Sequence, residues 1–472
     1  MHYFEEDTIV APATIPGAGA LSVIRLSGPD AIGICSKIVR FSGPSLADTP
    51  GGRLRYGEVY DTDGSLLDTV VVSVFRAPHS YTGEDSAEIS CHASKYIVSR
   101  LIDLLCSNGA RLAGPGEFTK RAFLLGKMDL SQAEAVADVI SSNSASAHRV
   151  AMTQMRGGYS RELEGLRDEL VHMASLLELE LDFSEEEVEF ANRKELKALL
   201  EKISTHIDTL ISSFKLGNAI KNGIPVAIVG SVNAGKSTLL NALLNEDRAI
   251  VSDIAGTTRD TIEETVNIGG FLFRFIDTAG LRETQESIES AGIERSLKKL
   301  SEAEIVLAVV DFSQPDKAVL QSVKDIASKV NFDIQKLAIL LNKTDKTPLN
   351  KNVTNINEFV LSLNNKIVTF RLSAKDGSGL EEVKKYLTSS FCGLNSLSED
   401  AVLVTNERHL EALKNARKAL SAVSSGLASD SPSDLVAQDL REAISNISSI
   451  LGQDITPDTV LHHIFRNHCI GK

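Results

Sequence analysis

The chain has 472 residues, of which 43% are apolar and 24% are charged, and these proportions are typical of globular proteins. They exclude an intrinsically disordered chain, a collagen-like repeat and a small disulfide-stapled domain, and the length predicts roughly two to four domains. The 49 Lys and Arg residues are outnumbered by 63 Asp and Glu residues, which gives a net charge of -14. Because binding to nucleic acid needs local positive potential, we expect a basic patch or a partner to supply most contacts to any nucleic-acid phosphates.

The N-terminus and the cysteines indicate a cytoplasmic protein without a membrane anchor. Residues 1–7 are acidic where a secretory signal would be basic. No stretch of sequence reaches the roughly 18 apolar residues that a membrane span needs. We expect reduced thiols, because the five cysteines are widely spaced and form no CxxC pair. They are Cys35, Cys91, Cys106, Cys392 and Cys469.

The first part of the chain mixes short β-type segments with turn signals. Residues 22–26 and 69–75 have the β-branched composition of strands, and residues 95–106 have helical spacing. This mixture predicts an α+β domain over residues 1–125.

Two later segments have the apolar spacing of helices. The first, at 129–215, carries a stripe of apolar residues every three or four positions. Its members are Leu163, Leu166, Leu170, Met173, Leu177 and Leu181. The second begins after about residue 385, and its stripe is Val436, Leu440, Ile444, Ile447 and Leu451. Because neither segment has an obvious partner of its own, we expect residues 126–217 and 389–472 to form one discontinuous all-helical domain.

Strand signals return between the two helical segments. They begin at 224–229 and alternate with helical stretches, recurring at 271–277, 304–312, 336–341 and 366–372. This alternation predicts an inserted α/β domain over residues 218–388 with a mostly parallel sheet. Residues 267–271, with two central glycines, are typical of a hairpin turn that joins two of its strands.

A phosphate-binding loop directly follows the strand at 224–229. Residues 230–237 read GSVNAGKS and lead into a helix, which matches the GxxxxGK[ST] pattern in its required context. Glycines let backbone N–H groups face the phosphates, and the helix N-terminus adds positive potential. We therefore expect Lys236 to reach the β- and γ-phosphates and the Ser237 hydroxyl to bind Mg²⁺.

Three further motifs at strand ends indicate a guanine nucleotide. The sequence DTAG at 277–280 places Asp277 where it can hold the magnesium shell. The sequence NKTD at 342–345 offers the Asp345 carboxylate to guanine N1–H and the exocyclic amine, an arrangement that adenine lacks. The sequence SAK at 373–375 can close on the base. Any one of these could be an ordinary turn, but all four motifs in this order favour a GTPase and exclude a plain ATPase.

Two details of the sequence concern hydrolysis. The segment VSDIAGTTRD at 251–260 is placed as a switch loop, and Thr258 is the candidate second hydroxyl ligand of Mg²⁺. Leu281 follows DTAG at the position where Ras-like enzymes orient the attacking water with Gln. Because leucine cannot form a hydrogen bond, the catalytic polar group must come from elsewhere.

The combined motifs resemble those of the MnmE (TrmE) family of tRNA-modification GTPases. GSVNAGKS, DIAGTTRD, DTAGLRE and NKTD are similar to the family, and so is the terminal sequence CIGK. The resemblance covers the whole chain, because DTIVAPATIPGAGALSVIRLSG, SYTGEDSAEISCH and PGEFTKRAFLLGKMDLSQAEAVADVI also match it. It implies a tetrahydrofolate-binding-like N-terminal domain, a helical domain and an inserted Ras-like P-loop GTPase domain.

The GTP-binding residues that the motifs and the resemblance imply lie in the phosphate loop, the switch segment and the three strand-end motifs. They are Asn233, Ala234, Gly235, Lys236, Ser237, Thr238, Ser252, Asp253, Ile254, Ala255, Gly256, Thr257, Thr258, Asp277, Thr278, Ala279, Gly280, Asn342, Lys343, Thr344, Asp345, Ser373, Ala374 and Lys375.

The resemblance also implies that the GTPase domains dimerise in a potassium-dependent way. Asn233, Ser252, Ile254 and Thr257 match the potassium-binding positions of the family. A monovalent cation beside the β–γ bridge can neutralise the charge that an arginine finger neutralises elsewhere. Glu289 matches the glutamate that positions the attacking water, although its spacing alone favours an exposed carboxylate on a helix.

For the N-terminal domain, the resemblance implies a homodimer that binds 5-formyl-tetrahydrofolate or a related tetrahydrofolate. Arg25, Glu88, Lys127 and Lys472 match the ligand contacts, since Arg and Lys suit carboxylates and Glu suits the pterin donors. Arg25 could instead be an inter-strand surface charge, and Glu88 a turn cap. Cys469 is either an accessible nucleophile or a residue that only packs near the folate.

The implied function is GTP hydrolysis coupled to modification of the wobble uridine at carbon 5 in certain tRNAs. A flavin-dependent MnmG partner would supply FAD and NADH chemistry in a heterotetramer, and this chain would supply the folate one-carbon donor. The implied catalytic residues are Lys236, Asp277, Glu289 and Cys469. Two alternatives remain: a ribosome-assembly GTPase resembling Era or Der, and a nucleotide-gated scaffold with a vestigial folate pocket.

Overall fold

The computed structural model divides the chain into two compact units. Unit 1 comprises residues 1–140, 154–207 and 411–472, and unit 2 comprises residues 141–153 and 208–410. The residues that the structure describes are 7–17, 19–182, 193–246, 264–276, 300–333, 335–347, 353–390, 402–429, 433–453 and 471. No helix within these residues is both long enough and apolar enough to cross a membrane. The division into four domains with boundaries after 125, 217 and 388 stays a prediction.

Unit 1 contains a seven-stranded sheet that is almost entirely antiparallel. Its strands are β1 (Thr8–Pro12), β2 (Leu21–Ser27), β3 (Val39–Phe41), β4 (Arg53–Tyr60), β5 (Leu66–Phe75), β6 (Ser86–His92) and β7 (Ala110–Leu112). They lie in the order β3-β4-β5-β6-β2-β1-β7, and β1 and β7 run parallel. The strands predicted at 22–26 and 69–75 are confirmed as parts of β2 and β5.

One face of this sheet carries the main core of the unit, and the other is partly packed, where Ile9, Ala11 and Phe118 form a second buried cluster. In β2, Ile24 and Leu26 are fully buried while Arg25 between them is only half-buried, as the alternation along a strand requires. The buried face packs against helices α1 (Ala31–Ile38) and α2 (Lys95–Ser107). The α+β character predicted for the N-terminal part of the chain is therefore confirmed.

Seven described helices lie between the two sheets or after residue 390 in the sequence, and most of them are long. They are α3 (Glu117–Leu124), α4 (Leu130–Ser141), α5 (Ala145–Met155), α6 (Gly158–Asp182), α7 (Arg193–Asn222), α12 (Glu407–Ala428) and α13 (Ser433–Leu451). The first predicted stripe is buried from Leu163 to Leu177 in α6, and α6 packs against α13. In α13 the second stripe is buried except at Ile444, which is half-buried. The apolar stripes therefore form the contacts between helices, as their spacing predicts.

Unit 2 contains a six-stranded sheet with one antiparallel edge strand. Its strands are β8 (Ile224–Val229), β9 (Glu264–Ile268), β10 (Phe271–Ile276), β11 (Ile305–Asp311), β12 (Lys336–Asn342) and β13 (Val368–Arg371). Their order is β13-β12-β11-β8-β10-β9, and only β9 runs antiparallel to its neighbour. The prediction of a mostly parallel sheet is confirmed, as is the hairpin between β9 and β10.

Both faces of the second sheet are buried, which explains its nearly continuous apolar strands. Side chains such as Phe273 and Leu307 belong to a cluster on one face, and Ala308 and Ile339 belong to a cluster on the other. Among the described residues, four helices alternate with these strands: α8 (Lys236–Glu246), α9 (Asp316–Ala327), α10 (Thr354–Leu363) and α11 (Leu380–Ser389). Since the strands run parallel, the loops that follow β8, β12 and β13 meet at one edge of the sheet, where ligands bind in such folds.

We expect replacement of Phe273 by Ala to destabilise unit 2 by about 3–5 kcal/mol, because the ring is fully buried and its removal leaves a cavity. Urea unfolding measures this change. The transition that belongs to unit 2 is identified by adding GDP, because bound GDP shifts that transition to a higher urea concentration. The matched control is Leu361→Ala on α10, where the side chain is 58% exposed and the expected loss is below about 1 kcal/mol. Equal losses in the two variants would contradict the inward orientation of Phe273.

Candidate functional site

The phosphate-binding loop between β8 and α8 has room only for glycine at two positions. Gly230 has a φ of 154°, and a Cβ there would lie 2.2 Å from the carbonyl oxygen of Val309. Gly235 has a φ of 102°, and a Cβ there would lie 2.2 Å from Nδ2 of Asn342. The loop therefore passes so close to neighbouring strand ends that larger residues would displace it.

The exposed side of this loop carries the groups that suit phosphate and Mg²⁺. Lys236 Nζ donates hydrogen bonds to the carbonyl oxygens of Gly230 and Ser231, both at 2.9 Å. Ser237 and Thr238 are exposed in the first turn of α8, where helix N–H groups lack partners within the helix. Asn233 is exposed and adopts a left-handed conformation with a φ of 62°. An ammonium, two hydroxyls and the N-terminal turn of a helix thus lie together, a set of groups that fits a magnesium-bound phosphate chain.

Asn342 connects three of the predicted motifs. Its side chain is buried, and Nδ2 donates to the carbonyl oxygen of Ala234 at 2.8 Å. Its Oδ1 accepts a hydrogen bond from the backbone N–H of Ala374 at 2.9 Å. The structure therefore brings together the phosphate loop, the NKTD sequence and the SAK sequence around one amide.

The polar groups that suit a guanine base lie beside this amide. The Asp345 carboxylate is exposed and accepts a hydrogen bond from the Ser373 hydroxyl at 3.1 Å. Lys343 has a left-handed φ of 65°, and its Nζ donates to Asp311 Oδ2 at 2.7 Å. Thr344 N–H donates to the Leu372 carbonyl oxygen, and Lys375 is exposed. The carboxylate of Asp345 is thus held in place while it still faces solvent.

Asp311 is a site residue that the sequence interpretation missed. Partial burial raises the pKa of its carboxyl, but hydrogen bonds from Lys343 and Ser313 outweigh that effect, and the pKa lies below its usual value. The carboxylate is therefore charged at neutral pH and anchors Lys343. The available signal was an acidic residue at the end of β11, directly opposite Asn342 in the parallel ladder.

The remaining predicted residues of the nucleotide site, and two predicted residues near the C-terminus, lie outside the described residues. They are Ser252, Asp253, Ile254, Ala255, Gly256, Thr257, Thr258, Asp277, Thr278, Ala279, Gly280, Glu289, Cys469 and Lys472.

A second polar site lies on the outer face of the sheet in unit 1. Arg25 and Glu88 are opposite each other on β2 and β6, and Arg25 Nε donates to Glu88 Oε1 at 2.8 Å. Arg25 Nη1 also donates to the carbonyl oxygen of Gly471 at 3.3 Å. The guanidinium lies 5.2 Å from the centre of the Tyr81 ring. The side chains of Arg25 and Glu88 are 17% and 25% exposed, so both remain accessible to a ligand.

Lys127 lies at the loop that carries Tyr81. Its Nζ donates to the Pro78 carbonyl oxygen at 2.9 Å, and its stem lies against Gly83, where a Cβ would be 3.2 Å from Lys127 Cδ. The structure thus brings Arg25 and Glu88 into direct contact, whereas Lys127 is held beside the same loop by its own hydrogen bond.

A buried arginine holds this loop against the sheet. The Arg121 side chain is only 5% exposed and forms ion pairs with Asp7, Glu84 and Glu117. Glu84 also accepts a hydrogen bond from the Ser27 hydroxyl at 2.7 Å. The sequence interpretation did not single out this network, because its members come from four separate segments.

Comparison with protein families accounts for nearly the whole chain. Residues 8–127 match the model described as the N-terminus of GTP-binding protein TrmE, and residues 130–469 match the MnmE helical domain. A relative from Bacteroides thetaiotaomicron, a tRNA modification GTPase MnmE, is 50% identical over 99% of this chain and 100% of its own length. Proteins of the same description from Parabacteroides distasonis and Christiangramia forsetii are also 50% identical, over 98% and 99% of this chain and 100% and 99% of their own lengths.

Among solved structures, Era from Aquifex aeolicus is similar at 28% identity over 41% of this chain and 66% of that chain, with a TM-score of 0.27. The fold of unit 2 is defined by the strand order of its own sheet. The family models and the relatives cover the sequence from end to end. The chain therefore belongs to the MnmE family of tRNA modification GTPases.

Proposed function

We propose that this GTPase hydrolyses GTP in a potassium-dependent way, coupled to dimerisation of its nucleotide-binding domains. With a flavin-dependent MnmG-type partner, it adds a carboxymethylaminomethyl or aminomethyl group to carbon 5 of the wobble uridine in certain tRNAs. The one-carbon unit comes from a tetrahydrofolate. The observation that carries this proposal is the presence of two separate polar sites in one chain: the loops joined by Asn342, and the Arg25–Glu88 pair.

The described part of the nucleotide site supports the binding of GTP, and the other roles follow from the family resemblance. Lys236 binds the β- and γ-phosphates, and Ser237 and Thr258 supply hydroxyl ligands to Mg²⁺, which neutralises phosphate charge when bound. Asp345 selects guanine because its carboxylate accepts hydrogen bonds from the N1–H and amine donors. Asn233, Ser252, Ile254 and Thr257 bind potassium, and Glu289 positions the attacking water.

The Arg25–Glu88 pair supports the folate proposal by its chemistry. Arg25 offers further N–H donors to the carboxylates of a folate tail, and Glu88 offers an acceptor to the pterin amine. Lys127 and Lys472 add positive charge. Arg25 donates to the carbonyl oxygen of Gly471, which lies between Cys469 and Lys472 in the sequence, and this supports a role for the C-terminal residues at the folate site. FAD and NADH act in the partner and not in this chain.

The proposed homodimer is supported by an apolar area on the outer face of the first sheet. Leu54 and Tyr56 on β4 are 67% and 66% exposed, and Val71 lies directly opposite Tyr56 on β5. Exposed apolar residues grouped on one face are typical of protein interfaces. The net charge of -14 supports a partner that holds most of the tRNA. The match to MnmE relatives along their full length disfavours the Era or Der alternative.

Loss of the gene should remove the 5-substituted wobble uridine from cellular tRNA, as measured by mass spectrometry of tRNA nucleosides. The wild-type chain should restore it, and Lys236→Ala should not, because the phosphates lose their ammonium contact. The control Lys317→Ala removes an exposed lysine from α9 and should restore the nucleoside fully. An unchanged nucleoside profile in the deletion strain would remove the proposal.

GTP turnover should be at least tenfold faster in potassium chloride than in sodium chloride at equal ionic strength, because the cation takes the charge-neutralising role of an arginine finger. Asn233→Ala should abolish most of this difference by removing a cation ligand. The control Asn357→Ala changes an exposed residue of α10 and should keep the difference. Equal turnover of the wild-type chain in both salts would contradict potassium dependence.

The full chain should bind 5-formyl-tetrahydrofolate, and Arg25→Ala should weaken binding by about tenfold or more, the value of a charge-assisted hydrogen bond. Isothermal titration calorimetry measures both affinities. Arg100→Ala is the matched control, because Arg100 forms a comparable ion pair with Asp61 elsewhere in unit 1. Equal weakening in the two variants, or no binding by the wild type, would count against the folate site.

A further inference from the structure

The β9–β10 hairpin lies between the two segments that sense the γ-phosphate in the proposed mechanism. β9 begins at Glu264, shortly after the predicted switch segment 251–260, and β10 ends at Ile276, directly before Asp277. In GTPases such segments are ordered by the γ-phosphate and released on hydrolysis. Because the hairpin is joined to both segments, we expect its position to depend on which nucleotide is bound.

The turn of this hairpin is tightly built around two glycines. Gly269 and Gly270 have φ angles of 59° and 84°, and the N–H of Gly270 donates to Asn267 Oδ1 at 3.2 Å. A Cβ on Gly269 would lie 2.7 Å from Cγ2 of Thr388 in α11. The turn thus has a defined shape and packs closely against Thr388 of α11.

The same turn caps the N-terminus of α5. The carbonyl oxygen of Gly270 accepts hydrogen bonds from the Ser146 N–H at 3.2 Å and from the Ser146 hydroxyl at 2.9 Å. Asn267 Nδ2 donates to the Asn143 carbonyl oxygen at 3.3 Å. N–H groups in the first turn of a helix have no partner within the helix, so Gly270 supplies a partner that α5 itself lacks.

The C-terminal end of α5 is hydrogen-bonded to Gln132, which is close in sequence to Lys127 of the proposed folate site. Residues 145–153 of α5 belong to unit 2, whereas Gln154 and Met155 belong to unit 1. Within unit 1, the Met155 carbonyl oxygen accepts a hydrogen bond from Gln132 Nε2 at 3.1 Å. Gln132 Oε1 accepts one from the N–H of Asp129 at 2.9 Å, two residues after Lys127.

We propose that the hairpin turn and Ser146 form the contact through which the nucleotide state reaches the segment that carries Lys127. Ser146, Asn267 and Gln132 are positioning residues in this scheme, because they act through α5. The proposal rests on the folate-dependent function proposed above only for its final step.

Hydrogen-bond geometry explains why α5 must respond to the turn. Bonds of 2.9 and 3.2 Å are lost when the turn moves by roughly an ångström, because the interaction weakens steeply with distance and angle. The helix then either follows the turn or loses the partner of its first-turn N–H. Ala147 and Val150 pack against the core cluster that contains Phe271 and Phe273 of β10, which favours a helix that follows.

Hydrogen exchange of the full chain tests the contact without any tRNA. Amides of α5 and of residues 127–132 should exchange at rates that differ at least fivefold between the GDP state and the GDP–aluminium fluoride state, a typical size for coupling between sites. In the double variant Ser146→Ala with Asn267→Ala, that difference should disappear at both segments. The control Thr153→Ala removes a hydroxyl that donates to Arg149 within the same helix, and it should keep the difference.

A second readout separates coupling from a merely structural role. The double variant should hydrolyse GTP within about twofold of the wild type, yet restore at least fivefold less of the modified nucleoside to a deletion strain. Ser146→Thr keeps the hydroxyl and should behave as wild type. Gln132→Glu keeps the acceptor for Asp129 but loses the donor to Met155, and it should reproduce the defect of the double variant.

Three outcomes would overturn the inference. They are a wild-type chain whose α5 exchange ignores the nucleotide, a double variant that keeps the exchange difference, and a double variant whose GTP turnover falls as far as its modification. A wild-type chain that restores no modified nucleoside would instead count against the proposed function, and hydrogen exchange would still decide the coupling.

Discussion

The nucleotide site depends on the buried side-chain amide of Asn342. Its Nδ2 holds the loop after β8, and its Oδ1 holds the loop after β13, although these loops lie 108 and 32 residues away in sequence. Both backbone groups are buried, so removal of the amide would leave each without its partner at a cost of about 1–3 kcal/mol. One side chain thus sets the spacing between the phosphate-binding and base-binding parts of the site.

The groups that face the nucleotide owe their positions to this arrangement. Ser373 orients Asp345, and Asp311 holds the ammonium of Lys343, through hydrogen bonds within the protein. Side chains that are already held lose less conformational entropy when a ligand binds. The base-binding side of the site is therefore organised in advance by three neighbouring strands.

How much of this could be predicted from sequence depends on the range of each interaction. The phosphate loop and the parallel sheet were predictable, because both follow from local patterns of glycine and apolar residues. The Asn342 bridge was not, since its two partners are backbone groups that approach only when the strands are aligned. Arg25 and Glu88 were singled out by family resemblance, but their pairing across 63 residues follows from the register of β2 and β6. Asp311 and the Arg121 network gave only a weak signal, because single charged residues are common at strand ends, in loops and on helices.

The Arg121 network makes the structure around the proposed folate site of unit 1 sensitive to acid. Burial alone would raise the pKa values of Asp7 and Glu117, but hydrogen bonds from Arg111, among others, lower them below the usual values of 3.8 and 4.5. Carboxyl groups of this kind stabilise the fold above their usual pKa, and that stabilisation is lost as the pH falls through the lowered values. Because Arg121 also holds Glu84, protonation would loosen the loop that places the Tyr81 ring beside Arg25. Strong acid would thus disturb the Arg25 site indirectly, through the carboxyl groups of Asp7 and Glu117, which do not contact the ligand in the proposed site.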